Sequence, residues 1–357
     1  MKILIIKFRN IGDVLLSTPL VSNLRYYYPD AIIDFTLNKG CEDMVLSNPG
    51  IKNIIIYDRS RIKKLGIFSQ LKEEARFTYN IRSNNYDMVI NLTEGDRGAQ
   101  LALFSGAKIK LGFPVRKGLL SKIKIFDKLG DDKKWQHTVE KDLQFINLLG
   151  RDKRVADKKV EIYWPEKIEK KINQILVENN IKQFVHIHPV SRWMFKCWED
   201  ERMAKVIDYL QQKKKLTVVI TGAPVKTELD RINKILKLCK TNPVNLSGEL
   251  TLKHLVCLSS KARLFFGVDT APMHMAAATG TPVVTLFGAS YPVIWGPWNN
   301  DSDKKSFQDI NGLQFNGIHH MVSNMDHEIF YEDGVKKSKG MTLISVDDVL
   351  NSIREIL

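Results

Sequence analysis

Arg263 to Ser290, RLFFGVDTAPMHMAAATGTPVVTLFGAS, is the stretch that decides how the rest of the chain is read. Leu264 to Val268 is an apolar run with the length and composition of a strand buried inside a parallel sheet. Asp269 and Thr270 stand where a helix N-cap belongs, and Met273 to Thr279 is a small-residue run read as a helix. Gly280 ends that helix, and Pro282 to Phe287 is a second buried strand. Polar side chains therefore follow the carboxyl end of the first strand, the edge at which open α/β sheets bind ligands. A helix that begins there offers free N–H groups and the positive end of its dipole, which suits a phosphate. Pro272 is tolerated in the first turn, where N–H groups lack an intrahelical partner. Thr270 and His274 are four apart and face the same way. The plain alternative is a capped core helix with an incidental histidine, and this stretch leaves both open.

A chain of 357 residues exceeds the usual size of a single core, so two domains are expected. No apolar run approaches the ~18 residues of a membrane span. The chain starts in a strand pattern, KILIIK, and not in a signal peptide, which reads as a cytoplasmic protein. Cys41, Cys197, Cys239 and Cys257 are scattered without paired spacing and read as reduced thiols. A net charge of +14 points to an anionic partner, such as an acidic membrane surface or a phosphorylated substrate. Helix-turn-helix, zinc-finger and aromatic RNA-binding signatures are missing, so no nucleic acid is expected. There is no phosphate-loop, dinucleotide or nucleophile-elbow motif. Asp301 to Asp303 reads as a surface turn, so no metal site is assigned.

Strands are expected at Lys2–Lys7, 31–37, Asn53–Tyr57 and 86–92, with helices between them, one running from Gly66 to Arg82. Trp135 to Leu149 is a further helix. The charged stretch RDKRVADKKVEIYWPEK marks a domain boundary near 160. A second series follows, with strands Phe184–His188, 216–221, 244–246 and the opening stretch, separated by helices at 200–212, 224–239 and 252–259. This alternation means two doubly wound parallel sheets, 1–160 and 161–345. Polar loops at the strand ends of each imply an active site in a cleft between them. Gly296 to Met341 has little pattern and is read as long loops. The last helix, 346–357, is read as packing back on the first half.

Asp13 follows the first strand in FRNIGD and is either a catalytic carboxylate or a helix cap. Thr18-Pro19 starts a helix as cap and first position, or Pro19 kinks a helix begun at Asp13. TEGDRG, with Glu94, Asp96 and Arg97, places polar groups at another strand end. Arg59, Arg61, Lys63 and Lys64 form a basic cluster: a solvated face, or a contact for anionic lipid or phosphosugar. In HPVSRWMFKCW, Ser191, Arg192 and Lys196 offer a hydroxyl, a guanidinium and an ammonium to phosphate oxygens, or are mere surface. Glu228, on the helix after TGAPV, accepts from ribose hydroxyls or lies on an exposed helix face. A departing diphosphate would find its countercharge in Lys196 and the Thr270 helix end instead of a metal.

RNIGDVLLSTPL, HPVSRWMFKCW, TGAPVKTE and GVDTAPMHMAAATGTPVVTLFG together resemble the ADP-heptose:lipopolysaccharide heptosyltransferases, glycosyltransferase family 9. The likeness covers nearly the whole chain. KFRNIGDVLLSTPL, NKG, NLTEGDRG and FKCW are similar to the pattern of the side-branch, heptose III members. The resemblance implies a GT-B fold, acceptor bound by the first half and donor by the second. It implies inverting, metal-independent transfer of heptose from ADP-heptose to a heptose of the lipopolysaccharide inner core, with no cofactor. Asp13 then matches the general base, Lys196 the diphosphate lysine and Glu228 the ribose acid. Ser191 and Arg192 fall at phosphate-loop positions, where Arg192 departs from the usual hydroxyl residue. Leu250 matches the apolar residue beside the adenine, and Asp269, Thr270 and His274 match the donor-binding block. His137 falls near the acceptor side. The enzyme is expected at the cytoplasmic face of the inner membrane, peripheral on its anionic surface. Transfer of heptose I or II, a non-catalytic nucleotide-sugar-binding protein and a sugar-nucleotide epimerase are the competing readings.

Overall fold

The computed structural model describes residues 1–133, 135–150, 152–301, 306–332 and 334–357. It divides into two units, Met1–Tyr163 and Trp164–Leu357. Asp303 of the acidic turn lies outside the described residues; Asp301 is exposed.

The first unit carries strands β1 (Lys2–Lys7), β2 (Ile32–Asn38), β3 (Asn53–Tyr57), β4 (Met88–Asn91), β5 (Ile109–Gly112) and β6 (Lys128–Leu129). Their order in the sheet is β3-β2-β1-β4-β5-β6, and every pairing is parallel. Ile3 to Ile6 are fully buried because β1 is central and helices cover both faces. The helices are α1 (Ile11–Leu15), α2 (Thr18–Tyr27), α3 (Arg59–Ile62), α4 (Ile67–Ser83), α5 (Asp96–Phe104) and α6 (Thr138–Leu149). The stretch after β1 is thus two short helices: α1 with Asn10 as its cap, then α2 with Ser17 at the cap position and Pro19 in its first turn.

In the second unit, α7 (Glu166–Glu178) precedes β7 (Phe184–His188), α8 (Asp200–Gln212), β8 (Thr217–Ile220) and α9 (Lys226–Leu238). Then come β9 (Val244–Asn245), α10 (Leu252–Lys261), β10 (Leu264–Val268), α11 (Ala271–Ala278), β11 (Val283–Phe287) and α12 (Pro292–Trp295). The chain closes with β12 (Gly312–Asn316), β13 (His319–Ser323), β14 (Ile329–Glu332), β15 (Val335–Ser338), α13 (Lys339–Leu343) and α14 (Val346–Ile356). The sheet order is β12-β13-β11-β10-β7-β8-β9. Leaving aside β12, which pairs antiparallel with β13, this repeats the order of the first unit. Each sheet therefore reverses direction once, between β1 and β4 and between β7 and β10, and such reversals are where α/β sheets bind ligands.

One expectation is corrected. The region from Gly296 to Met341 is not a run of loops: β13 joins β11 in parallel, and β14 and β15 form a hairpin. Its strands escape notice because β13 is buried while presenting His319, His320 and Ser323, so neither alternation nor an apolar run marks it. Within its own unit the last helix packs on α8 and β13. Val349 and Ile353 are fully buried in one cluster with Trp198, Met203 and Ile207, and that burial fixes its place.

Candidate functional site

In the first unit the β1/β4 reversal gathers charge. Asp13 sits in the third position of α1, and its Oδ2 accepts from Asn10 N at 3.3 Å, closing a capping box. The cap and catalytic readings of Asp13 thus meet in one residue, which keeps 8% of its surface exposed. Below it, Lys7 Nζ donates to Asp142 Oδ2 of α6 at 2.6 Å, with both side chains buried. Burial pushes the Asp142 carboxyl up to about 6; the Lys7 ammonium opposes the shift and the Asp13 carboxylate adds to it. Thr93 Oγ1 accepts from Phe8 N at 2.7 Å, tying β1 to the loop after β4.

Glu94 pairs with Arg9 at 3.1 Å and also with Lys141. Gly95, at φ +104°, lets the chain turn into α5 with Asp96 as the first helical residue. Glu94, Gly95 and Asp96 share a cavity of about 680 Å³ with Pro114, Val115, Arg116, Lys117, Asp132 and Lys133. Arg116 forks onto Asp132, Nε to Oδ2 at 2.8 Å and Nη2 to Oδ1 at 2.6 Å, which holds the Asp132 carboxyl below its usual range. The basic side of this cavity was not read from the sequence, although PVRK after β5 carries the signal.

Arg97 turns elsewhere: its guanidinium stacks 4.5 Å from the Tyr57 ring and lies 3.6 Å from Glu74. His137 is fully buried and caps α6, its Nδ1 accepting from Val139 N at 3.2 Å. Expected as an acceptor contact, it presents no surface to a ligand here. Arg59, Arg61, Lys63 and Lys64 are exposed; Arg61 pairs with Glu73.

In the second unit the β7/β10 reversal is bridged by one ion pair. Lys196, at the end of the tight turn Met194–Lys196, donates to Asp269 Oδ2 at 2.5 Å, and Ser290 Oγ donates to the same oxygen at 2.5 Å. Thr270 follows as the cap residue of α11, and buried His274 lies one turn on. Ser191 is buried, its Oγ accepting from Trp193 N at 3.2 Å, while Arg192 is exposed and lies over the Trp193 ring. Glu228 is not on an exposed face: it is 6% exposed, and its Oε2 accepts from Ala223 N at 2.8 Å. Leu250 is half-buried just before Thr251, the cap of α10.

A chain of buried hydrogen bonds fixes one more group that the sequence reading passed over. Ser259 Oγ donates its single proton to Leu255 O (2.9 Å), so it accepts from His186 Nδ1 (2.9 Å). His186 Nε2 then accepts from Thr221 Oγ1 (2.8 Å), whose oxygen accepts from His188 Nδ1 (2.9 Å). This proton count assigns His188 the tautomer with Nε2 as a bare acceptor at the carboxyl end of β7. Burial keeps both rings neutral, holding His186 well below its ordinary range and His188 down at about 4. Among the described residues no group of three His, Cys, Asp or Glu is placed to hold a metal ion.

Two Rossmann-like units of one strand order, each with charged groups at its reversal, define the GT-B class of glycosyltransferases. The glycosyltransferase family 9 structure from Veillonella parvula matches with a TM-score of 0.81 at 21% identity, over 99% of this chain and 96% of that one. The Escherichia coli ADP-heptose lps heptosyltransferase II structure matches with a TM-score of 0.75 at 20% identity, over 100% and 98%. The chain belongs to glycosyltransferase family 9 (heptosyltransferase), whose family model matches residues 75–312. Lipopolysaccharide heptosyltransferase 3 of Escherichia coli strain K12 is 33% identical over 350 residues, 97% of this chain and 95% of that protein.

Proposed function

We propose that this glycosyltransferase moves heptose from ADP-heptose to a heptose of the lipopolysaccharide inner core, adding the side-branch heptose III with inversion and without a metal ion. The observation that carries the reading is the Lys196–Asp269 pair at the β7/β10 reversal, beside the N-terminus of α11. It stands in a chain similar along nearly its whole length to a heptosyltransferase 3.

An acceptor hydroxyl attacks the anomeric carbon of the donor heptose and gives its proton to Asp13. The bond from that carbon to the diphosphate oxygen breaks, and its electron pair leaves on ADP. The hydroxyl is a poor nucleophile until deprotonated, and a positioned base contributes roughly 10²–10⁴-fold. Lys196 and the positive end of the α11 dipole meet the charge that grows on the departing diphosphate, so the countercharge is supplied by the protein itself. Ser191 and Arg192 flank the phosphates. Glu228, with Oε2 held by Ala223 N, offers Oε1 to the ribose hydroxyls. Leu250 packs beside the adenine, and Asp269, Thr270 and His274 hold the sugar side of the donor. Acceptor recognition falls to Glu94 and Asp96, and the basic cluster Arg59, Arg61, Lys63 and Lys64 meets acidic core groups.

No helix among the described residues is long and apolar enough to cross a membrane. The enzyme works at the cytoplasmic face of the inner membrane, where its lipid-anchored acceptor is displayed. The test follows ADP release with acceptors truncated at successive core heptoses. Release that requires the main-chain heptoses supports the side-branch assignment; equal release with a heptose-free core moves the enzyme to heptose I addition.

A further inference from the structure

Helix α4 carries apolar side chains on two faces: Ile81 is fully buried in the core with Phe77 packed beside it, and a second set points outward. A surface helix ordinarily buries its apolar stripe and exposes its charges. Here the half-buried positions include Glu73 and Glu74; Glu74 accepts from the Tyr57 hydroxyl and Glu73 pairs with Arg61. Four further apolar side chains face water: Phe68 is 84% exposed, Leu71 61% and Tyr79 69%, with Ile67 at 65% beside them. At 100° per residue, Phe68, Leu71, Lys72, Ala75, Tyr79 and Arg82 fall within one sector of roughly 100°. All six are exposed, and none is a carboxylate. Arg59, Lys63 and Lys64, exposed as well, stand immediately before the helix.

Apolar side chains in a row on the outside mark a surface with a partner. The charges choose which partner. A second copy docked face to face would set Lys72 and Arg82 against the same cations. An anionic bilayer neutralises them and takes up the apolar side chains between them, as it does for helices that lie in the membrane interface. A tyrosine on such a stripe matches the headgroup depth, where its ring is buried and its hydroxyl stays wet.

We propose that the outward stripe of α4 lies in the headgroup layer of an anionic bilayer, with Phe68 and Leu71 entering the acyl boundary and Lys72, Arg82 and the basic cluster meeting lipid phosphates. This deepens the membrane-facing part of the proposed function and rests on it only for biological meaning, since lipid binding needs no donor and no acceptor. The stripe adds an apolar anchor to what basic residues alone would supply, so attachment persists in salt that screens the cations.

The test is co-sedimentation of the full chain with vesicles of phosphatidylglycerol and phosphatidylcholine, and with pure phosphatidylcholine, for the wild type and for Phe68→Asp/Leu71→Asp. Both side chains are exposed, so the fold is kept; ADP binding and circular dichroism check this, and Phe68→Ala/Leu71→Ala is the milder second variant. The expected result is wild-type binding to the anionic vesicles, weaker by about tenfold or more in the aspartate variant. Transfer to a short lipid-free acceptor is unchanged. Equal partitioning of wild type and both variants overturns the proposal, as does a wild type that ignores anionic vesicles at low salt. A wild-type dimer that the variants split assigns the stripe to a second copy and overturns it too. If no acceptor is ever glycosylated yet the vesicle difference appears, the proposed function fails and this surface stands.

Discussion

Replacing Lys196 with alanine separates a structural ion pair from a diphosphate contact. The ammonium lies 2.5 Å from Asp269 Oδ2, and the two side chains keep 20% and 8% of their surface. Stranding one partner of a fully buried pair costs roughly 3–5 kcal/mol, and an exposed pair is worth ~0–1 kcal/mol. This pair lies between those limits, and Ser290 Oγ still donates to the stranded oxygen at 2.5 Å. The expected loss of stability is therefore about 1–2 kcal/mol. The ligand effect is larger: a charge-assisted contact to phosphate contributes ~1.5–3 kcal/mol, which weakens ADP and ADP-heptose binding roughly ten- to hundredfold. Urea midpoints give the first number, and titration calorimetry with ADP, with and without chelator, gives the second. An ADP affinity within twofold of wild type would refute the role of Lys196. Affinity that collapses on chelation would refute the idea that protein groups alone balance the diphosphate.

Asp13→Asn keeps the shape of the side chain and loses the base, so transfer falls by about 10²–10⁴-fold while ADP binding stays within a few-fold, measured by turnover and calorimetry; near-normal turnover returns Asp13 to capping alone. Neutralising Arg59, Arg61, Lys63 and Lys64 together raises the apparent acceptor KM and flattens its salt dependence, with the ADP-heptose KM unmoved; a wild-type acceptor KM at low salt makes the cluster a solvated face. Stability falls on acidification below 6.5, because burial holds His186, His188 (about 4) and His319 (about 3) below the ordinary value, so the unfolded chain takes up protons that the folded one refuses. From pH 6.5 to 5 the His188 and His319 rings each cost about 1.5 kcal/mol. Asp142, raised to about 6, works the other way, because the folded state binds its proton first as pH falls. Urea midpoints at the two pH values check the sign, and His188→Gln lessens the acid loss; a midpoint that rises on acidification contradicts it.

The alternation of strands and helices was legible because all pairings in the two main sheets except β12–β13 are parallel; the buried β1, β7 and β10 and the isoleucine-rich edge strand β3 read as short apolar runs with the bounds they have in the structure. Polar burial hid the rest. β13 escaped because its histidines sit where apolar residues would have announced a strand, and β5 is only four residues long. The stripe of α14 says that the helix packs without saying on what. Glu228 has the spacing of an exposed helical position, and its inward turn follows from the Ala223 N–H that it accepts. Lys7 and Asp142 are 135 residues apart, and only the folded chain reveals that pair. His137 drew notice as a histidine beside a helix start, and its side chain caps that helix.

The central claim is heptosyl transfer from ADP-heptose to a core heptose with Asp13 as base, and mass spectrometry of the acceptor tests it most directly. Purified protein is incubated with ADP-heptose, chelator and a core acceptor that already carries its main-chain heptoses. The account predicts an acceptor heavier by one heptose, with equimolar ADP released, for the wild type, and an unchanged acceptor for Asp13→Asn. An unmodified acceptor with wild-type protein that binds ADP-heptose would contradict it.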